Sequence, residues 1–233
     1  MATRTPKKTE SRAPLSRELV FETAVAYADE HGIGELSMRK LGQELGVEAM
    51  SLYYHVANKE EILDGIGDHV IGEIELVPLG DDWKATLREQ ILTARRVMKR
   101  HTWAPKIIET RTTMSFATLR YMDAVGGMML SGGFSVDLMH HAMHALGSRL
   151  LGFTQELYDD SDTLDASPEM EAAMIEQITS EFPNIAKVME EIQHQEESIV
   201  GSGCDDDIEF AFSLDIILDG LERKRDEERE RAS

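Results

Sequence analysis

Residues 34–59, GELSMRKLGQELGVEAMSLYYHVANK, constrain the fold more than any other stretch of this chain. They spell two short helices around a tight turn. The first runs from Met38 to Glu44, with Ser37 placed as its N-cap. Leu45-Gly46-Val47 follows, and Gly46 is free to take the left-handed angle that a sharp turn needs. The second helix starts near Glu48 and runs through Tyr54. Leu36, Leu41, Leu45, Val47, Leu52 and Val56 are spaced to bury one shared apolar face. Ala49, Met50, Ser51, Tyr53, Tyr54 and His55 then point outward, with Lys59 just past the helix end. This is the pattern of a helix-turn-helix whose short second helix enters a DNA major groove. A plain αα-hairpin in a bundle shares the skeleton. Two outward tyrosines beside a histidine and a lysine are out of place on a merely solvated face.

The run LSMRKLGQELGVEAMSLYYHVANKEEIL, residues 36–63, resembles the N-terminal domain of the tetracycline-repressor (TetR) family of bacterial regulators. The likeness starts upstream, in Leu19-Val20-Phe21 and Ala24 to Ala28. Further on, Pro78-Leu79 with Trp83, Thr110-Arg111 and Gly133-Phe134-Ser135 resemble the ligand domain of the tetracycline-repressor branch, and Phe210 to Leu221 resembles its last helix. The resemblance covers residues 15–222 and is strongest over 15–64. It implies an all-α fold: an N-terminal three-helix helix-turn-helix domain, then a larger helical domain for ligand binding and dimerisation. It also implies contacts. Arg39 reaches a base, Tyr53, His55 and Lys59 meet mainly phosphates, and Ser37 and Met38 lie within reach of backbone or base. Ala49 and Met50 depart from the tetracycline repressors, which carry glutamine and proline there. Neither side chain can hydrogen-bond adenine, but both can pack on a thymine methyl.

A net charge of −20 taken over the whole chain opposes a DNA partner. Its distribution resolves this. Residues 1–59 hold eight Lys and Arg against eight Asp and Glu, so the whole excess lies in residues 60–233. An acidic far part and a neutral near part orient a molecule on DNA, and they predict salt-sensitive binding. No apolar run reaches the length of a membrane span, and no apolar segment follows Arg4, Lys7, Lys8 and Arg12 as a secretory signal requires. Cys204 is the single cysteine, which excludes an intramolecular disulfide and fits a cytoplasmic protein.

Periodicity organises the rest as helices. Residues 1–14 read as a disordered basic arm, 15–58 as the DNA-binding domain, 59–76 as a connector helix, 77–223 as the ligand-binding and dimerisation domain, and 224–233 as a charged, fraying tail. Ser16 caps a first helix that buries Val20, Ala24, Tyr27 and Ala28 and ends near His31 with a left-handed Gly32. Asn58 caps the connector, and Pro78 and Gly80 break it. Asp82 caps a helix from Trp83 to about Arg100; helices near 104–111, 112–130 and 135–157 follow. Beyond an acidic loop at 158–167, Ser167-Pro168 opens another, Phe182-Pro183 interrupts, and the last spans Asp205 to about Arg223. Two far helices, 135–157 and 205–222, suit a four-helix dimer interface, through Phe212, Ile216 and Leu218 or Leu138, Ala142 and Ala145.

Other constellations carry less. His140 and His144 share a helix face and could ligate a metal, but no third ligand is visible, so no metal or other cofactor is expected. The glycine-rich GGMMLSGG follows no strand and lacks the Gly-Lys-Ser/Thr of a phosphate loop. Adjacent carboxylates such as Glu60-Glu61 diverge on a helix, and nothing assembles an acid, a base and an oxyanion site. Seven far methionines, Met98, Met114, Met122, Met128, Met129, Met139 and Met143, suit either core filling or an adaptable cavity.

In the ligand domain the resemblance implies Arg111 and Glu156 as kept residue types, with Gln90 where a shorter amide is usual. The family's metal-drug histidines fall at Glu75, at Ile107 or Ile108, and at Ser148. Without imidazoles a metal-chelated tetracycline loses its anchors. Ile91, Ala94, Met98, Trp103, Ile107 and Met114 would instead line a largely apolar site for a hydrophobic or aromatic molecule. The reading is a homodimeric, ligand-responsive regulator, a repressor released from a palindromic operator of double-stranded DNA by a small apolar effector, and not an enzyme. Its rivals are a metal-dependent helical enzyme using His140 and His144, and a protein-interaction adaptor that keeps the fold without DNA binding.

Overall fold

The computed structural model describes residues 14–111, 114–152, 168–192 and 206–232. Every regular element among them is helical. Residues 1–13 of the expected basic arm, the 158–167 loop, Cys204 and Glu156 lie outside the described residues. The chain divides into two compact units, each built from two stretches: residues 1–74 with 100–119, and residues 75–99 with 120–233.

The first unit contains α1 (Arg17–His31), a single 3-10 turn at Ile33–Glu35, α2 (Met38–Leu45), α3 (Ala49–Leu52), α4 (Lys59–Gly72) and α6 (Ala104–Glu109). Ser16 caps α1, its hydroxyl accepting from the Leu19 amide at 3.1 Å. Val20, Phe21, Ala24, Val25, Tyr27 and Ala28 form its buried stripe. Gly32 ends the helix at φ 81°, ψ 149°, so its φ is positive but its ψ is not that of the left-handed helix expected from sequence. Its amide still reaches the Ala28 carbonyl at 2.9 Å. The connector helix α4 stops at Gly72, not at 76 as the sequence suggested; the Glu73 amide closes the last turn on the His69 carbonyl at 3.2 Å. Its breakers are therefore not Pro78 and Gly80. Ile62, Ile66, Val70 and Ile71 bury its inner face, which packs on α1.

The second unit holds α5 (Trp83–Arg100) up to Lys99, most of α7 (Phe116–Ser131), α8 (Val136–Gly152), α9 (Pro168–Glu181), α10 (Pro183–Ile192) and α11 (Asp206–Ala232). Its core interleaves Leu87, Ile91, Ala94 and Met98 of α5, Met128 and Met129 of α7, Leu138, Ala142, Leu146 and Leu150 of α8, and Phe210, Leu214 and Leu218 of α11. Charged pairs run along α5 and α11: Lys84 with Asp219 and Glu222, each at 2.6 Å, Arg88 with Asp215 at 2.6 Å, and Lys99 with Asp207 at 2.8 Å. Half-exposed pairs of this kind contribute little stability each. Phe210 lies between two guanidinium groups, Arg95 at 4.1 Å and Arg149 at 4.5 Å from its centroid.

Two expectations change here. The tail beyond Arg223 is helix through Ala232, because Arg225 donates to the Gly132 carbonyl at 3.2 Å and stacks over Trp83 at 5.2 Å. Leu138, Ala142 and Leu218, read as partner-facing, are buried in the unit's own core. The outward apolar stripe of α11 is Ile208, Phe212 and Ile216, each more than half exposed at 63%, 63% and 56%.

Candidate nucleic-acid interface

Three local devices build the helix-turn-helix. Ser37, extended at φ −148°, caps α2 by accepting from the Lys40 amide at 3.3 Å. Gly46 ends α2 in the left-handed region, φ 62° and ψ 38°, as its lack of a Cβ permits. The Val47 amide then returns to the Gly42 carbonyl at 2.8 Å, which turns the chain into α3. Asn58 opens α4, its Oδ1 accepting from the Glu61 amide at 2.8 Å, while Glu61 Oε2 reaches back to the Ala57 amide at 2.6 Å. That reciprocal arrangement resembles a capping box and fixes where the recognition segment must end.

The recognition helix is shorter than expected. Regular α-helix covers Ala49–Leu52, and Tyr53, Tyr54 and His55 continue as hydrogen-bonded turn, with the His55 amide on the Leu52 carbonyl at 2.9 Å. Of the expected shared apolar face, Leu36, Leu41, Leu52 and Val56 are buried, whereas Leu45 and Val47 are half-buried at the turn. On the outer side Met50 is 70% exposed, Tyr53 46% and Tyr54 88%. Large apolar groups side by side in water mark this face as a candidate interface. Ser37, Met38, Ala49, Ser51, His55 and Lys59 are half-buried around it, and Arg39 is exposed. Lys40 is bonded to Glu35, which raises the lysine's pKa and lowers the glutamate's. Among the described residues Arg39 and Lys59 have no such carboxylate partner, so both cations remain available to an anionic ligand.

The expected effector residues divide between the units. In the second unit Ile91, Ala94 and Met98 are buried along α5, and Glu75 and Ser148 are exposed. Gln90 is fully buried with both amide functions spent on backbone: Oε1 accepts from the Val77 amide at 2.8 Å and Nε2 donates to the Glu75 carbonyl at 3.3 Å. In the first unit Trp103 is buried, Ile107 is half-buried and Met114 is 64% exposed. Arg111 is held against α4, with Nη1 2.5 Å from Asp68 Oδ1 and Nε 3.4 Å from Asp64 Oδ1. Sequence reasoning missed a further cluster, Asp29, Glu73 and His101. These residues are far apart in the chain and no short motif joins them. His140 and His144 lie exposed on α8 with ring centroids 4.7 Å apart, and no group of three or more metal-ligating side chains forms among the described residues. No described helix is long and apolar enough to cross a membrane.

Comparison with known proteins accounts for both units. Residues 20–66 match the description "Bacterial regulatory proteins, tetR family", and residues 78–225 match "Tetracyclin repressor-like, C-terminal domain". An HTH-type transcriptional regulator of Saccharopolyspora erythraea is 33% identical over 132 residues, which span 56% of this chain and 56% of that protein. The HTH-type transcriptional repressor DrrR1 of Streptomyces coeruleorubidus is 29% identical over 226 residues, 91% of this chain and 80% of its own. The apo structure of ActR from Streptomyces coelicolor superposes with a TM-score of 0.72 at 26% identity, covering 93% of this chain and 99% of that one. ActR has also been solved with (S)-DNPA and with actinorhodin bound. With a helix-turn-helix unit and a helical second domain both matched, the chain belongs to the TetR family of bacterial regulatory proteins.

Proposed function

We propose that this chain is a homodimeric transcriptional repressor that holds operator DNA through α2 and α3 and releases it on binding a small, largely apolar effector. The observation that carries the reading is the outer face of α3 and of the turn after it: Met50, Tyr53 and Tyr54 stand in solvent beside Arg39 and Lys59, which no carboxylate engages among the described residues. Apolar groups for thymine methyls and sugars, flanked by cations for phosphates, are what a major-groove reader needs. DrrR1 is a repressor of similar sequence, and ActR binds organic molecules within a similar fold; both support a small-molecule effector here. In the second unit its contacts are proposed at Ile91, Ala94 and Met98 of α5, with Gln90 as the polar member. The protein works in the cytoplasm as a regulator and not as an enzyme. Effector binding shifts a population between two states that differ in the separation of the paired recognition helices, about 34–36 Å when they fit successive major grooves.

Fluorescence anisotropy on an operator selected from genomic fragments tests the interface. Lys59→Ala removes one phosphate contact per subunit and two per dimer, so the log–log salt slope should fall by roughly 1.8. Arg39→Ala should cost discrimination as well as affinity, by roughly 1–3 kcal/mol per base read. Unchanged slope and affinity in both variants would exclude this docking face.

A further inference from the structure

We propose that His140 and His144 form a chelating site on α8 for one divalent late first-row transition ion, with Cu2+ the tightest of the class. The site is separate from the DNA face and from the effector contacts proposed above, and it binds the ion without catalysis.

α8 buries Leu138, Ala142, Leu146 and Leu150, and His140 and His144 are exposed on its surface. Four residues are slightly more than one helical turn, so the two imidazoles rise from one face, one above the other. Two helical histidines hold zinc in metalloproteases at this same spacing. Here the rings stand with centroids 4.7 Å apart and planes at 81°. At a metal–nitrogen distance of about 2.0–2.1 Å, two imidazoles at square-planar to tetrahedral angles place their ring centres about 4.5–5.2 Å apart. The pair is therefore at chelating separation in the free chain, and side chains already held close lose less freedom on binding. Among the described residues no hydrogen bond or carboxylate engages either ring, so their nitrogens are open to an ion.

The donor set selects the ion. Neutral imidazole suits zinc, nickel and copper, whereas calcium and magnesium take oxygen ligands. Affinity within the divalent series peaks at copper. Thioethers occupy the same turns, but Met139 and Met143 end against α7: Sδ of Met139 and Cε of Met143 lie 3.3 Å and 3.7 Å from where a Cβ on Gly126 would sit. Their sulfurs are therefore outside the donor set, and the ion is the divalent one that nitrogen prefers. His141 lies by Asp137, Nε2 3.9 Å from Oδ2, and no third His, Cys, Asp or Glu joins the pair among the described residues. Water completes the coordination. The positions also differ from those of the tetracycline repressors' metal-drug histidines, which fall at Glu75, Ile107 or Ile108, and Ser148. An ion held by both rings links successive turns of α8. The unfolded chain does not hold the rings at this separation, so binding stabilises the folded protein.

Titration of the full chain with Cu2+ in a non-coordinating buffer, read by calorimetry and electron paramagnetic resonance, tests this. The wild type should show one tight ion per chain with two nitrogen donors in its spectrum, undisplaced by excess Mg2+. His140→Ala and His144→Ala should each weaken that ion at least about tenfold, since loss of even an outer-shell partner costs that much, and should lower the nitrogen count. His141→Ala, equally exposed and next in the chain, should leave affinity and spectrum unchanged. At free Cu2+ of about a hundred times the dissociation constant, the unfolding constant in urea should fall about a hundredfold in the wild type and not in His140→Ala. Equal affinity in the wild type and both alanine variants overturns the proposal, as does an equal loss in His141→Ala. Displacement by Mg2+ also overturns it, because the ion would then sit on carboxylates.

Discussion

Gly65→Ala tests the packing of α1 on α4 most directly. Gly65 lies mid-way along α4, and a Cβ there would sit 2.6 Å from Cε2 of Phe21 and closer still to Cζ and Cε1. Phe21 is itself buried at 8% exposure, so its ring cannot swing into solvent without losing its own burial. At an open helical site the change would gain about 1 kcal/mol of helix propensity. Here overpacking opposes it by about 1–3 kcal/mol. The net expectation is a loss of about 1 kcal/mol. Phe21→Leu alone should cost about 1–2 kcal/mol by leaving a gap. Together the two changes should compensate, with a coupling of about 1–2 kcal/mol in a double-mutant cycle read from urea melts. Gly72→Ala is the control. Nothing lies within 4 Å of its built Cβ, so it should be neutral or slightly stabilising. If Gly65→Ala stabilises as an open helical site would, or the double mutant is simply additive, the contact is not the constraint argued here.

Phe212→Asp puts a charge in the outward apolar stripe of α11 and should convert the proposed dimer to monomer in light scattering; a dimer of unchanged strength would move the interface elsewhere. Tyr121→Phe removes a buried hydroxyl that has no hydrogen-bond partner among the described residues and whose pKa burial pushes up. It should stabilise the protein by about 1 kcal/mol in denaturant melts, and a loss of that size would show that the hydroxyl is satisfied in solution. Glu73, with its pKa below the usual range, contributes stability above the ordinary carboxylate titration that is lost as pH falls through the folded value. The acid limb of a stability–pH profile should therefore be shallower in Glu73→Gln than in the wild type.

The helix-turn-helix was legible because its determinants are local. Ser37, Gly46 and Asn58 each act within four residues of themselves, through a cap or a positive φ, and the structure puts all three to that use. Asp82 likewise caps α5, accepting from the Lys84 amide at 2.9 Å. Apolar spacing of 3 and 4 identified the buried sides of α1 and of the recognition hairpin for the same reason, since one helix turn brings those positions together. Such rules weaken where a helix end is decided by distant partners. The extension of α11 through its charged tail depends on Arg225 meeting Trp83 and Gly132, some 90 or more positions away, and the charge run itself announces only solvation.

Polar side chains mark the sharper limit. The resemblance implies Gln90 and Arg111 as effector contacts, and it assigns residue types and not the company they keep. In the structure Gln90 satisfies the backbone at Glu75 and Val77, and Arg111 is paired with Asp64 and Asp68. Leu138, Ala142 and Leu218 had the apolar pattern of either core or interface, and periodicity cannot tell which side of a helix a second copy would occupy. The sequence alone determined the element types, the helix-turn-helix hairpin and its exposed outer face, since these follow from backbone chemistry over a few residues. Only the tertiary structure decided which charges are already neutralised, which apolar stripe stays uncovered, and that His101 stands between Asp29 and Glu73. Each of those depends on packing that brings together residues the chain holds far apart.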